Sequence, residues 1–253
     1  MDGLWFRRFT PEAQGRPRLI CFPHAGGAAS AYSTLARALG PHVEVLSVQY
    51  PGRQDRRNEP LVPDVAELAT SIAGVLPEGP YAFFGHSMGA VVAYEVARRL
   101  ADAGGAGGGV AGAGPVRLFA SGRAAPSVPN SRFVHKLDDA GLLGDVRYLR
   151  GTGADVLDDP DVLAMVLPPL RADYTAIETY EWTPGPPLDV PVTVLIGDDD
   201  PLVDATQARA WDQHTTAGTT LRPYPGGHFY LDDQAPRLAK DILTDLQTTT
   251  RFG

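Results

Sequence analysis

The chain has 253 residues, with 22 Lys and Arg against 30 Asp and Glu, a formal charge of −8, and one cysteine among 28 glycines and 23 prolines. That length suits one large domain or two small ones and buries a sizeable core without covalent staples. The negative balance disfavours a nucleic-acid binder. A single cysteine excludes an intrachain disulfide framework or a cysteine-based zinc site, and no run of about 18 apolar residues is present to cross a membrane. The first residues place Arg7 and Arg8 behind Leu4-Trp5-Phe6 and lack the apolar centre of a secretory signal. The expectation is a soluble, cytoplasmic globular protein.

Six short apolar runs predict buried strands: Arg18–Phe22, Val43–Gln49, Tyr81–Phe84, Val116–Ala120, Val192–Ile196 and Thr220–Tyr224. None alternates strictly with polar residues, as expected where both faces of a sheet are covered. Helical spacing appears between them, over Ala31–Leu39, Asp64–Leu76, Met88–Leu100, Ala205–Gln213 and Arg237–Gln247. In the second of these, Val65, Leu68, Ala69, Ile72 and Leu76 form one apolar stripe, and Pro63-Asp64 is a suitable start. Strands alternating with helices predict an α/β fold with a mostly parallel sheet.

Two stretches break the rhythm. Gly104 to Gly114 is almost wholly Gly and Ala and lacks the Lys-Ser/Thr ending of a phosphate loop, so it reads as a flexible linker. Arg123 to Leu188 carries helical patterns around Ser131–Arg150 and Asp161–Tyr180 without a convincing strand. Its place after a strand puts this insertion near the strand C-termini, where open α/β sheets bind ligands. There is no internal repeat, and the expectation is a single domain over 1–253 with an insertion at about 123–188.

The chemistry concentrates in Gly85-His86-Ser87-Met88-Gly89, which follows an apolar strand and opens a helical run. Strand, sharp turn and helix are the setting of a nucleophile elbow, with glycines at the places where a Cβ would crowd the turn. A serine hydroxyl is a weak nucleophile and needs a base, itself oriented by an acid. Of six histidines, His228 lies on the glycine-rich loop Pro225-Gly226-Gly227-His228-Phe229 directly after a strand, whereas His214 falls in a helical pattern and suits a solvated or capping role. The acid should end the preceding strand, which runs into Gly197-Asp198-Asp199-Asp200-Pro201. Asp200 reaches farthest into the loop and precedes a proline that favours extended backbone; Asp198 and Asp199 read as turn formers or solvated charges. The Ca²⁺-loop pattern is missing from this triplet. The candidate catalytic residues are therefore Ser87, Asp200 and His228. A tetrahedral intermediate also needs oxyanion donors. The backbone N–H of Met88 is one candidate; Ala25, in Pro23-His24-Ala25-Gly26-Gly27 after the first predicted strand, is the other, with His24 as its alternative. Cys21 reads as a small buried hydrophobe.

The sequence FPHAGG at 22–27, YPGR at 50–53, GHSMG at 85–89, LPPLRADY at 167–174, GDDDP at 197–201 and PGGHF at 225–229 resembles the type II thioesterases. These stand-alone α/β-hydrolases accompany polyketide synthases and nonribosomal peptide synthetases. The resemblance spans nearly the whole chain. It implies hydrolysis of acyl groups from the phosphopantetheine arm of acyl- or peptidyl-carrier domains, an editing role that clears stalled or misloaded units. It also implies that the Arg123–Leu188 insertion is a helical lid, that Ser87, Asp200 and His228 form the triad, and that Ala25 and Met88 supply the oxyanion donors. The Gly104–Gly114 stretch departs from the family pattern, away from the candidate site.

No metal or organic cofactor is required by this chemistry, and neither nucleic acid nor membrane is an expected partner; a monomer is the expected state. Leu142, Leu143, Leu149, Leu157, Leu163, Val166, Leu167 and Leu170 predict a lid that packs on the body, with a minority lining an acyl channel. Carrier domains are usually acidic, so a chain of charge −8 would need a local basic patch to steer them. Arg53, Arg56, Arg57, Arg132 and Lys136 are the candidates, though each one alone suits a solvated charged face better. A small-molecule carboxylesterase or lipase-like hydrolase with the same triad is the rival reading, because the elbow does not fix the leaving group.

Overall fold

A computed structural model describes residues 2–105, 114–150 and 159–248. The chain opens with a short helix α1 (Asp2–Trp5) and strand β1 (Phe6–Arg8), followed by β2 (Arg18–Phe22), α2 (Ser33–Leu39) and β3 (Glu44–Val48). Next come α3 (Val65–Ala73), β4 (Tyr81–His86), α4 (Met88–Gly105) and β5 (Leu118–Ser121). Helices α5 (Asp139–Arg150) and α6 (Pro160–Glu178) precede β6 (Val192–Gly197), and the chain finishes through α7 (Ala205–Arg209), β7 (Thr219–Tyr224), α8 (Tyr230–Asp233) and α9 (Ala235–Gln247). The strands form one sheet in the order β1-β3-β2-β4-β5-β6-β7, with β1 antiparallel to β3 and every other pair parallel.

The lack of polar alternation in the strands now has its cause. Ile20, Phe22 and Phe83 point into a core beneath α3 and α4, whereas Leu19, Cys21, Ala82 and Phe84 point into a second core beneath α2 and α9. Both faces are covered, so both residue parities must be apolar. In α3, Asp64 caps the helix by accepting the Glu67 N–H at 2.7 Å, and Val65, Leu68, Ala69 and Ile72 are buried. The helix ends at Ala73, before the Leu76 of the sequence pattern.

Strand β1 has no counterpart in the sequence reading. It is three residues long, carries Arg7 and Arg8, and gains its place through pairing with β3 and an Arg8–Glu44 ion pair at 2.8 Å. The predicted helix Ala205–Gln213 is α7 followed by a 3₁₀ turn over Ala210–His214. Within the insertion, the Ser131–Arg150 pattern resolves into a 3₁₀ turn at Val134–Lys136 and then α5. Most of the Gly104–Gly114 stretch and Leu157 lie outside the described residues. Among the described residues no helix is long and apolar enough to cross a membrane.

Parallel pairing fixes where chemistry can occur. The segments that follow β2, β3, β4, β5, β6 and β7 all leave the sheet at one edge, the carboxyl edge, and the motifs singled out in the sequence begin there.

Candidate active site

Ser87 stands between β4 and α4 with φ +55°, one of two described non-glycine residues in the left-handed region. Such a conformation costs an ordinary residue about 1–2 kcal/mol and has to be held by its surroundings. Its N–H donates to Ser121 O at 2.8 Å, and its carbonyl accepts Ala90 N–H at 3.0 Å. A Cβ on Gly85 would lie 2.2 Å from Gly89 O, and one on Gly89 would lie 1.9 Å from Phe22 O. Both glycines are thus required by packing, as the sequence reading expected. Since α4 begins at Met88, the N–H groups of its first turn have no partner inside the helix, and the positive end of its dipole sits at the serine.

The acid and base loops interlock beside the elbow. Asp198 N–H donates to Tyr224 O at 2.8 Å and Asp199 N–H to Gly226 O at 3.0 Å, while a Cβ on Gly197 would strike Gly227 O at 2.3 Å. This brings Asp200 to His228: Nδ1 lies 2.9 Å from Oδ2 and 3.1 Å from Oδ1, and the two side chains are 0% and 1% exposed. A carboxylate oxygen accepts, so Nδ1 carries the hydrogen and the Nε2 lone pair is left for another partner. Asp200 Oδ1 also accepts Leu202 N–H at 2.9 Å. Asp198 is used differently, accepting Gly226 N–H at 2.9 Å, and Asp199 is exposed.

The His228 ring packs on His86, the residue before Ser87, with centroids 4.9 Å apart. Sequence reasoning missed the groups that tie these segments together. Ser121 Oγ lies 2.9 Å from His86 Nδ1 and 2.7 Å from the Tyr230 hydroxyl, so the residue whose carbonyl holds Ser87 also joins the elbow to the histidine loop. Gly122, with φ +57°, leaves room that a Cβ would fill at 2.6 Å from His86 Cε1 and 3.3 Å from His228 Cε1. The adjacency of Tyr230 to His228 was the available signal for that tyrosine; Ser121 and Gly122 carried none.

In the loop after β2, Gly27 N–H donates to His24 O at 2.8 Å and Gly26 N–H to the Asp173 carboxylate at 2.7 Å. Ala25 lies half-buried between these two bonded positions. The His24 ring is buried against Phe229, centroids 4.9 Å apart. A cavity of about 1030 Å³ opens beside this loop, walled by Gly26, Gly27, Arg53, Arg57 and Leu61 and, from α6, by Ala164, Met165, Val166, Pro168 and Pro169. Leu142, Leu143 and Leu170 are buried in packing, whereas Val166 faces the cavity and Leu149 lines a second cleft of about 520 Å³ that contains Asp200 and His228.

Three sequence expectations are corrected. His214 is neither solvated nor a cap: it is 1% exposed, with the Tyr94 hydroxyl 3.0 Å from Nδ1 and Ser127 Oγ 2.8 Å from Nε2. Burial, reinforced by the nearby Arg98 charge, pushes it down from 6.5 to about 4. Arg53 and Arg56 do not belong to a surface patch. Arg53 is buried in an ion pair with Asp173, and Arg56 is buried over the Trp5 ring at 4.2 Å while pairing with Glu59 at 2.5 Å. Arg132 is taken up by Asp145 within the insertion, and only Arg57 and Lys136 of the five cations are exposed. Cys21 is buried in the strand as expected, which pushes its thiol well up. Among the described residues no group of three or more His, Cys, Asp or Glu converges to hold a metal ion.

A covered parallel sheet with a strained serine elbow and a carboxylate–histidine pair at its carboxyl edge has the architecture of an α/β-hydrolase. A family model described as a thioesterase domain matches residues 17–246. The thioesterase PikA5 of Streptomyces venezuelae is 46% identical over 252 residues, covering 98% of this chain and 87% of that one. Among solved structures, the type II thioesterase BorB from the borrelidin biosynthetic cluster is 44% identical with a TM-score of 0.86, over 96% of this chain and 98% of its own. The RedJ thioesterase of the prodiginine pathway in Streptomyces coelicolor is 36% identical with a TM-score of 0.82, over 93% and 88%. The chain belongs to the type II thioesterases, within the α/β-hydrolase fold.

Proposed function

We propose that this protein hydrolyses acyl groups from the phosphopantetheine arm of carrier domains, clearing stalled or misloaded units from polyketide or nonribosomal peptide synthases in the cytoplasm. The observation that supports this reading is the packing of His228, paired with Asp200, on His86, the residue that precedes the strained Ser87. His228 Nε2 takes the Ser87 proton as Oγ attacks the thioester carbonyl, forming the C–O bond and moving the carbonyl electrons onto oxygen. The Met88 and Ala25 N–H groups stabilise that oxyanion. The carbonyl re-forms, the C–S bond breaks, and the carrier thiol leaves with the proton held on His228. Water then attacks the acyl-Ser87 ester while His228 takes its proton and returns one to Oγ, releasing the acid. Asp200 keeps the imidazole in the tautomer and orientation this requires.

In this reading α5 and α6 form a lid, and the cavity under α6 receives part of the acyl group or its arm. Arg57, exposed at the cavity wall, is the cation of the Arg53–Arg57 segment that remains available to an acidic carrier. The test is hydrolysis of a panel of acyl-phosphopantetheinyl carrier domains by wild type and Ser87→Ala, beside the matching oxygen esters. Thioester turnover that vanishes in Ser87→Ala is expected. Faster turnover of free oxygen esters than of carrier thioesters would make the protein an esterase instead.

A further inference from the structure

The LPPLRADY segment of α6 does more than roof a cavity. Asp173 is fully buried and held in a two-pronged ion pair by Arg53, with Nη1 2.6 Å from Oδ2 and Nη2 2.9 Å from Oδ1. The same Oδ2 accepts Gly26 N–H at 2.7 Å, and Arg53 Nη1 also donates to Gly27 O at 3.1 Å. One helical turn before Asp173, Leu170 closes over Gly26, where φ is +73° and a Cβ would lie 2.6 Å from Leu170 Cδ1. Residues three apart share a helix face, so a single face of α6 grips the loop twice.

A buried ion pair contributes little net stability, because desolvating two charges offsets their attraction. What it adds over an apolar contact is direction. Gly27 N–H is bonded to His24 O, and in a trans peptide the Ala25 N–H points opposite to that carbonyl. The orientation of Ala25 N–H is therefore set by the His24–Gly27 turn. Asp173 fixes that turn through Gly26 N–H, and Arg53 fixes it through Gly27 O.

We propose that Arg53 and Asp173 are a positioning pair that orients the Ala25 N–H as oxyanion donor, so that the seating of α6 sets the strength of transition-state stabilisation. The proposal rests on the reading of Ala25 as that donor. Neither residue touches the reacting atoms; both act through the loop.

Asp173→Asn and Arg53→Lys keep polar groups in place but lose the two-pronged geometry. The comparison is made on folded protein, checked by circular dichroism and melting. The expected result is a kcat 10- to 100-fold lower with KM within about threefold of wild type, below the loss for deleting a donor outright. Affinity for a trifluoromethyl ketone, which forms a tetrahedral adduct with Ser87, should fall by the same factor. Binding of uncleaved substrate to a Ser87→Ala background should stay unchanged. An unchanged kcat, or a lower kcat with undiminished ketone affinity, would overturn the proposal. If Asp173→Asn does not fold, Arg53→Lys and the neutral double variant Arg53→Gln/Asp173→Asn give the same readings. Ala25→Pro, which lacks the N–H, separates the two levels. Full ketone affinity in folded Ala25→Pro would remove Ala25 as donor, whereas its loss there without loss in the Arg53 and Asp173 variants would remove only the positioning pair. The ketone reports serine attack whatever the leaving group, so the thioester assignment stands or falls separately.

Discussion

His228 Nδ1 lies within hydrogen-bonding reach of both oxygens of Asp200, at 2.9 and 3.1 Å, while the neighbouring Asp198 spends its carboxylate on the Gly226 N–H. Three aspartates in a row thereby divide into one that faces the imidazole, one that braces the histidine loop and one, Asp199, left in solvent.

The two contacts predict opposite sensitivities. Asp200→Asn can donate an N–H toward Nδ1 and so favours the wrong tautomer; kcat on a carrier-bound acyl thioester should fall by about 10⁴, the loss seen for the equivalent change in serine proteases. Asp198→Asn keeps an oxygen to accept Gly226 N–H, and its kcat should stay within about threefold of wild type. A large loss in Asp198→Asn, with Asp200→Asn near wild type, would reverse the assignment.

Gly122→Ala should impair both folding and turnover. The added methyl would meet His86 Cε1 at 2.6 Å, close to His228, in a backbone region unfavourable to alanine. Strain and overpacking together predict a loss of about 2–4 kcal/mol by urea unfolding. At temperatures where the variant is folded, kcat should drop at least tenfold, since His228 is displaced. Wild-type kcat in Gly122→Ala would show that the base tolerates movement of this wall.

His214 predicts an acid-sensitive fold. Its folded-state value near 4 lies below the usual 6.5, so between these pH values the unfolded chain binds a proton that the native chain excludes. Its contribution is complete above pH 6.5 and is lost as pH falls toward 4, amounting to about 3 kcal/mol over that window. His214→Gln cannot protonate. Compared by urea unfolding at pH 7 and pH 4.5, wild type should lose about 2 kcal/mol more than the variant. Equal losses in the two proteins would show that His214 takes up its proton in the folded state.

The cavity wall on α6 should tune acyl selection. Val166 faces the space of about 1030 Å³ beside the Ala25 loop. Val166→Trp fills part of it and should lower kcat/KM for long acyl chains about tenfold or more, leaving acetyl and propionyl groups within about twofold. A uniform loss across chain lengths would assign the cavity to the pantetheine arm instead.

The amino-acid order alone carried a large share of this. Apolar runs such as Val192–Ile196 foretell buried strands because a doubly covered sheet removes polar alternation, and glycines at 85 and 89 foretell the elbow because no Cβ fits there. Such signals are local: they depend on a residue and its near neighbours in the chain. β1 escaped notice because three residues with two arginines have no local signature, and its strand state comes from β3 across the sheet. His214 looked solvated because its helical neighbours are polar, yet Tyr94 and Ser127, distant in sequence, enclose it. The arginines of the 53–57 segment make the same point, since a guanidinium reads as surface charge until its partner is known. Asp173 stands 120 positions beyond Arg53, and only folding brings this residue of α6 against Arg53 and Gly26. The sequence by itself determined the covered parallel strands, the elbow and the candidates for the reacting groups. The tertiary structure decided which charges are buried and how the loop after β2 is held, because desolvation and hydrogen-bond direction are properties of packed neighbours and not of the chain's order.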